Sequence, residues 1–154
     1  MKRSSALIRL SREHHSGLIL AQLIKSNAPI YKNLPEDDDS KLKFTLTTFN
    51  EELYPHFICE ETILIPFIKN NDPLIDSLSN EIIEEHKKIY EIIDNLKIYK
   101  DISYNLNKLG VILESHIRKE ERIWFEEIQT KFSTQELKEL EIEINSFDNK
   151  KHQI

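Results

Sequence analysis

The segment from Lys41 to Lys69, KLKFTLTTFNEELYPHFICEETILIPFIK, decides the fold. Within it Leu42, Leu46, Phe49, Leu53, His56, Glu60, Ile63 and Phe67 recur at steps of four and three. That is the spacing of a stripe along one face of an α-helix, and of a helix packed in a bundle. The stripe is apolar except at His56 and Glu60. Pro55 lacks an N–H to give to the helix and predicts a bend there.

The same pattern returns on either side. Ile102, Leu106, Leu109, Leu113, His116, Glu120 and Ile123 form a second stripe, and Ile82, His86, Ile89, Ile93 and Leu96 a third. A first helix is expected from Ser11 as N-cap. It places His14 in the first turn, runs through Gly17, Ala21 and Ile24, and stops before Pro29. Connections fall at Asn27 to Ser40, whose run Glu36-Asp37-Asp38-Asp39 reads as a solvated loop, at Asn70 to Pro73, and around Lys97 to Ser103. Ser133 with Glu136 is a capping-box pair that opens a last short helix, Thr134 to Phe147, with Leu137, Leu140 and Ile144 on one face. The expected fold is therefore all-α: an antiparallel up-down four-helix bundle with a short extra C-terminal helix. A single domain is expected over residues 1–147, followed by a polar tail over 148–154 in which His152 is free.

Composition agrees with one helical core. The chain has 154 residues, 39% hydrophobic and 31% charged, with only two glycines and five prolines, too few for a turn-rich β fold. A mean hydropathy of −0.49 and the lack of any run near ~18 apolar residues exclude a membrane-spanning protein. A net charge of −6 argues against nucleic acid as a partner, because phosphate binding needs a basic surface. The lone Cys59 excludes an intramolecular disulfide and fits a reducing cytoplasm, where a packed thiol is its expected role. A monomer or weak dimer is expected.

The polar residues on the stripes carry the function. Burying unpaired carboxylates and imidazoles is costly. His56 and Glu60 are four residues apart, as are His116 and Glu120, so each pair shares one helical face, one turn apart. With a stripe histidine on each of the other two helices, these side chains could converge on one volume, where two cations would relieve the burial cost. Imidazole nitrogen and carboxylate oxygen suit iron, with manganese or zinc less favoured. Either His14 or His15 can face that volume from the first helix. The small-residue track Gly17, Ala21, Ile24 behind His14 leaves room for a metal and favours it. Taken alone, Glu60 and Glu120 could instead be helix-surface residues beside Lys or Arg, since Glu61 and Glu121 adjoin them.

The order His, His-x-x-x-Glu, His, His-x-x-x-Glu resembles the hemerythrin-like HHE cation-binding domain. The resemblance covers Leu10 to Ile128 and is carried by LSREHHSGL (Leu10 to Leu18), HFICEETILIPFI (His56 to Ile68), EEHKKIYEII (Glu84 to Ile93) and SHIRKEERIWF (Ser115 to Phe125). It implies a non-heme, carboxylate-bridged di-iron centre. The ligands would be His14 (His15 as alternate), His56, Glu60, His86, His116 and Glu120. Oxygen carriers of the family use a further histidine four residues after the third-helix one. Here that residue is Tyr90, an additional ligand, a hydrogen-bonding neighbour or a packing residue.

The resulting expectation is a non-heme di-iron protein that binds or reacts with a small ligand such as O2, nitric oxide or peroxide. Its setting would be oxygen or nitrosative-stress sensing, defence or iron-centre repair, with low-turnover redox activity and an unidentified redox partner. The alternatives are an iron storage or donor protein and a metal-free helical interaction module. No nucleophile–base triad, phosphate loop or CxxC pair offers a competing enzyme.

Overall fold

The computed structural model describes residues 2–154, and among them the regular structure is entirely helical. Helix α1 spans Ile8–Ile24. Helix α2 runs continuously over 38–68, α3 over Pro73–Lys97, α4 continuously over 102–131 and α5 over Thr134–Ser146, followed by a 3-10 turn at Asn149–His152. No helix is long and apolar enough to cross a membrane.

The helix starts follow local chemistry. Asp37 caps α2 by accepting from the Ser40 N–H at 2.9 Å. Asp38 and Asp39 lie in the first turn, where carboxylates meet the positive end of the helix dipole. The acidic run is thus a helix start in its second half rather than a loop throughout. Asp72 caps α3 ahead of Pro73, and Ser133 with Glu136 forms the expected capping box. Helix α1 begins earlier than expected. Ser11 lies inside it, its N–H bonded to the Leu7 carbonyl at 3.0 Å and its hydroxyl accepting from Arg3 Nε at 3.1 Å. Between α3 and α4 the chain turns through Tyr99 (φ 57°) and Asp101 (φ 41°), left-handed residues that make a turn without glycine or proline.

Three π-helical turns interrupt α2 and α4, at Phe49–Leu53, Glu60–Leu64 and Glu120–Trp124. In each, the following residue reaches back five positions: Tyr54 to Phe49, Ile65 to Glu60 and Phe125 to Glu120. At the second and third turns the extra residue moves the buried stripe on by one. Beyond Glu60 the buried residues are Leu64 and Ile68, with Ile63 and Phe67 only partly covered. Beyond Glu120 they are Trp124, Phe125 and Ile128, while Ile123 is 46% exposed. The stripes expected through Ile63, Phe67 and Ile123 are corrected accordingly. The first two π turns end just before Pro55 and Pro66, where a proline ring would crowd the carbonyl four residues back. The helix accommodates Pro55 by this turn, and the Glu51 carbonyl it frees accepts from Gln153 Nε2 at 3.3 Å.

The chain's two glycines both lie between α1 and α4. A Cβ on Gly110 would stand 2.9 Å from the Ala21 carbonyl oxygen, and one on Gly17 would stand 2.8 Å from Ile117 Cδ1. Their absence lets the two helices close on each other. The space beside Gly17 is filled by Ile117 and Leu53, so it packs a helix rather than leaving room for a metal. The core divides into two clusters. One gathers Leu20, Leu53, Phe57, Ile89, Leu113 and Ile117 with their neighbours, and the other gathers Leu10, Leu64, Ile82, Trp124, Phe125 and Ile144 with theirs. Between them in sequence, on each of the four long helices, falls a polar residue of the stripes.

The segment 148–154 is largely exposed but anchored, and His152 is not free. His152 stacks on Phe147, ring centroids 4.5 Å apart, and Asn149 joins Arg9 and Glu13 at 2.8 Å each.

Candidate metal centre

Six polar residues are buried between the two apolar clusters: His14 on α1, His56 and Glu60 on α2, His86 on α3, and His116 and Glu120 on α4. His15 is exposed and faces away. The two glutamates are fully enclosed, and each opens a π turn. The α-helical turns before them keep each glutamate in the row of its histidine, His56 or His116, and the π turns then deliver the following bulky residues to the second apolar cluster.

The six side chains form two overlapping groups. His14, His56, Glu60 and Glu120 offer one ligand atom each within 4.8 Å of one another, and so do Glu60, His86, His116 and Glu120. Both carboxylates belong to both groups. Glu120 Oε2 lies 2.8 Å from His14 Nε2, and its Oε1 lies 2.7 Å from His116 Nε2. Glu60 Oε1 meets His56 Nε2, and its Oε2 lies 3.3 Å from His86 Nε2. Each carboxylate therefore reaches one way with one oxygen and the other way with the second, as a bridge between two cations requires.

Donor chemistry agrees with this geometry. His56 Nε2, His86 Nε2, His116 Nε2, both Glu60 oxygens and Glu120 Oε1 are buried and face one another without a well-directed hydrogen bond. Orphaned polar atoms are rare in folded proteins and costly. Here they are gathered in one place and are nitrogen and oxygen donors, so the residues present could hold metal cations. Phe57 stacks on His86 at 4.1 Å and Phe125 on His14 at 5.6 Å, walling the volume with apolar rings.

The outward nitrogens reveal four residues that the sequence reading had not assigned to the site. His56 Nδ1 lies 2.9 Å from Glu13 Oε1, His116 Nδ1 lies 2.8 Å from Glu85 Oε1, and His14 Nδ1 lies 2.6 Å from Glu121 Oε1. His86 Nδ1 is 3.4 Å from Glu61 Oε2. Each pair crosses to the next helix: α1 to α2, α2 to α3, α3 to α4 and α4 back to α1. The four contacts close a ring around the bundle. Glu121, like Glu13 and Glu85, thus turns inward as a carboxylate partner that orients an imidazole and directs its Nε2 to the centre, while Glu61 faces His86 at a longer distance. Each stands next to a stripe residue: Glu13-His14, Glu60-Glu61, Glu85-His86, Glu120-Glu121. Those doublets were the available sign.

Tyr90 is not turned to the centre. Its hydroxyl donates to Glu61 Oε2 at 3.0 Å, and its ring packs among Phe49, Tyr54 and Phe57.

Charge and burial shape the titration of these groups. Burial alone would lower the His116 pKa. The Glu120 carboxylate, with Glu85 and Glu60, overcomes it and lifts the value to about 10. His14, His56 and His86 are raised for the same reason, His56 well above the ordinary range. Glu121 is drawn down to about 2: burial would raise it, but the bond to His14 and contacts to Ser11 and Arg3 prevail. Glu120 is held well below the carboxylate range against its burial by His116, His14 and His56. Burial, with Glu60 beside it, pushes the Cys59 thiol up to about 12, so this enclosed residue is an inert packed thiol.

The chain belongs to the hemerythrin HHE cation-binding domain family, whose profile matches residues 6–128. The match takes in all six central residues and leaves out α5 and the tail. No curated protein and no solved structure matches the chain significantly.

Proposed function

We propose that this protein is a non-heme di-iron protein. His14 and His56 would hold one iron and His86 and His116 the other, with Glu60 and Glu120 bridging both. The observation that carries this reading is the pair of four-residue groups sharing both carboxylates. The fold that goes with it is an antiparallel up-down four-helix bundle, each long helix contributing to one polar layer. Contacts of His14 with Glu120 and of Ala21 with Gly110 support antiparallel packing of α1 and α4.

Two histidines and two shared carboxylates would leave each iron short of six ligands. When bound, the pair would supply open coordination positions and electrons for O2, nitric oxide or peroxide. The chain's own part is to hold the imidazoles of His14, His56 and His116 in one tautomer through Glu121, Glu13 and Glu85, and to exclude water with Phe57 and Phe125. Three of those glutamates are in turn ion-paired: Glu13 to Arg9, Glu85 to Lys119 and Glu121 to Arg3. A role in sensing, defence or repair follows from such a ligand, with an external redox partner.

Metal analysis of the untagged protein, with its visible spectrum under air, tests the reading. About two irons per chain with charge-transfer absorption are expected from this donor set. Metal well below one per chain that anaerobic ferrous iron cannot restore would sink it.

A further inference from the structure

Three of the four outer carboxylates stand between a histidine and a cation. Glu121 lies 2.8 Å from Arg3, Glu13 lies 3.5 Å from Arg9, and Glu85 meets Lys119. Glu61 is the exception. Among the described residues no lysine or arginine lies within ion-pairing distance of it, and its outer partner is the neutral phenol of Tyr90 at 3.0 Å.

Tyr90 uses the same oxygen, Oε2, that faces His86. The outer contacts of His14, His56 and His116 measure 2.6, 2.9 and 2.8 Å. That of His86 opens to 3.4 Å, and its Nδ1 is buried with no hydrogen-bond partner. The phenol cannot follow Glu61 inward, because its ring is wedged against Phe49, Tyr54 and Phe57, with centroid separations of 6.0, 6.0 and 6.1 Å.

We propose that Tyr90 is a positioning residue that draws Glu61 off His86, and that the metal position of His86 and His116 is therefore the labile one of the two. This rests on reading the centre as a two-metal site. An imidazole with no partner on its outer nitrogen is fixed in neither tautomer nor tilt, and its metal bond loses the support an outer carboxylate gives. The His14/His56 position, with both outer nitrogens anchored, keeps its metal longer.

The test loads the full chain anaerobically with Fe(II) and follows transfer to an excess of a ferrous chelator. Two phases of equal amplitude are expected for the unaltered protein. Tyr90→Phe keeps the ring but removes the donor, so Glu61 can close on His86. It should slow the fast phase by roughly tenfold, the low end of an outer-shell partner's effect, while the slow phase stays put. Glu61→Gln should speed the fast phase. In the metal-free protein, the nitrogen-15 shifts of His86 should move toward a carboxylate-bonded Nδ1–H in Tyr90→Phe. A purely structural tyrosine would give the reverse: faster release once its hydrogen bond is gone. Faster or unchanged release in Tyr90→Phe, or a single phase in the unaltered protein, overturns the inference while leaving the di-iron reading intact. A chain that takes up no iron overturns both.

Discussion

Glu13 orients His56, 2.9 Å away on the neighbouring helix, and not His14, its neighbour in sequence. The carboxylate's other oxygen accepts from Asn149 at 2.8 Å, and Arg9 lies 3.5 Å from it. A ligand on α2 is thus set by a residue of α1, which the chain's last segment braces.

Glu13→Gln should therefore weaken metal binding although it removes no ligand. The amide keeps the shape but loses the charge that polarises the imidazole. A loss of about 10- to 100-fold in affinity is expected, measured by competition with a chromophoric chelator. Asn149→Ala acts on the same contact at one remove and should show a smaller loss in the same direction.

The shared carboxylates and the unshared histidines predict different stoichiometries. His14→Ala should leave one metal position largely able to fill, so bound metal falls from about two toward about one per chain. Glu120→Ala takes one oxygen from each group and should empty both. Metal content of the two purified variants distinguishes these outcomes. Equal losses would contradict the bridging assignment.

The metal-free protein should be most stable in mildly acid solution. The raised histidine values mean that those groups stabilise the fold fully below their ordinary 6.5 and lose that contribution as pH climbs through the folded values, about 10 for His116. The lowered glutamates act in the opposite direction: their contribution is present above the ordinary 4.5 and is lost as pH falls toward about 2 for Glu121. Thermal melts of chelated protein should therefore peak between about pH 4.5 and 6.5 and decline on the alkaline side. Metal binding needs neutral imidazoles, so loading should remove the alkaline decline and the metal affinity should rise with pH.

The two glycines should respond unequally to alanine. At Gly110 the new methyl meets the Ala21 carbonyl oxygen, which is backbone and cannot yield without moving α1. A net loss of about 1–3 kcal/mol is expected from such overpacking, along with weaker metal binding as His14 is pushed from Glu120. At Gly17 the nearest atom is the end of the Ile117 side chain. That side chain can rotate, and the ~1 kcal/mol gain in helix propensity offsets the strain, leaving Gly17→Ala near neutral. Urea denaturation of the two variants checks the order.

Much of this was legible in the sequence, because stripes of four and three report burial directly. Leu42, Leu53, His56 and Glu60, and the run from Leu106 to Glu120, lie where periodicity puts them. Legibility stops at Glu60 and Glu120, since an unbroken 3.6-residue repeat cannot register an added residue. What stabilises a π turn there is the packing of Leu64, Trp124 and Phe125 into a core made by other helices. Pro55 and Pro66 hinted at the first two turns, but no proline follows the third. The outer glutamates escaped for a related reason. A carboxylate beside a stripe looks solvent-facing until the neighbouring helix places a histidine against it, as His14 is placed against Glu121. The tail was misread because its anchors, Arg9, Glu13 and Glu51, are distant in sequence.

The π turns also make chain length within a helix an angular coordinate. Each residue of an α-helix advances its face by about 100°. Removing one residue after Glu120, such as the exposed Arg122, leaves every central residue in the chain while turning all that follows by that angle. Trp124, Phe125 and Ile128 would rotate out of the second apolar cluster with no chemical change to any of them. The register of Trp124, Phe125 and Ile128 within that cluster is thus held by a one-residue insertion beginning at a proposed metal ligand.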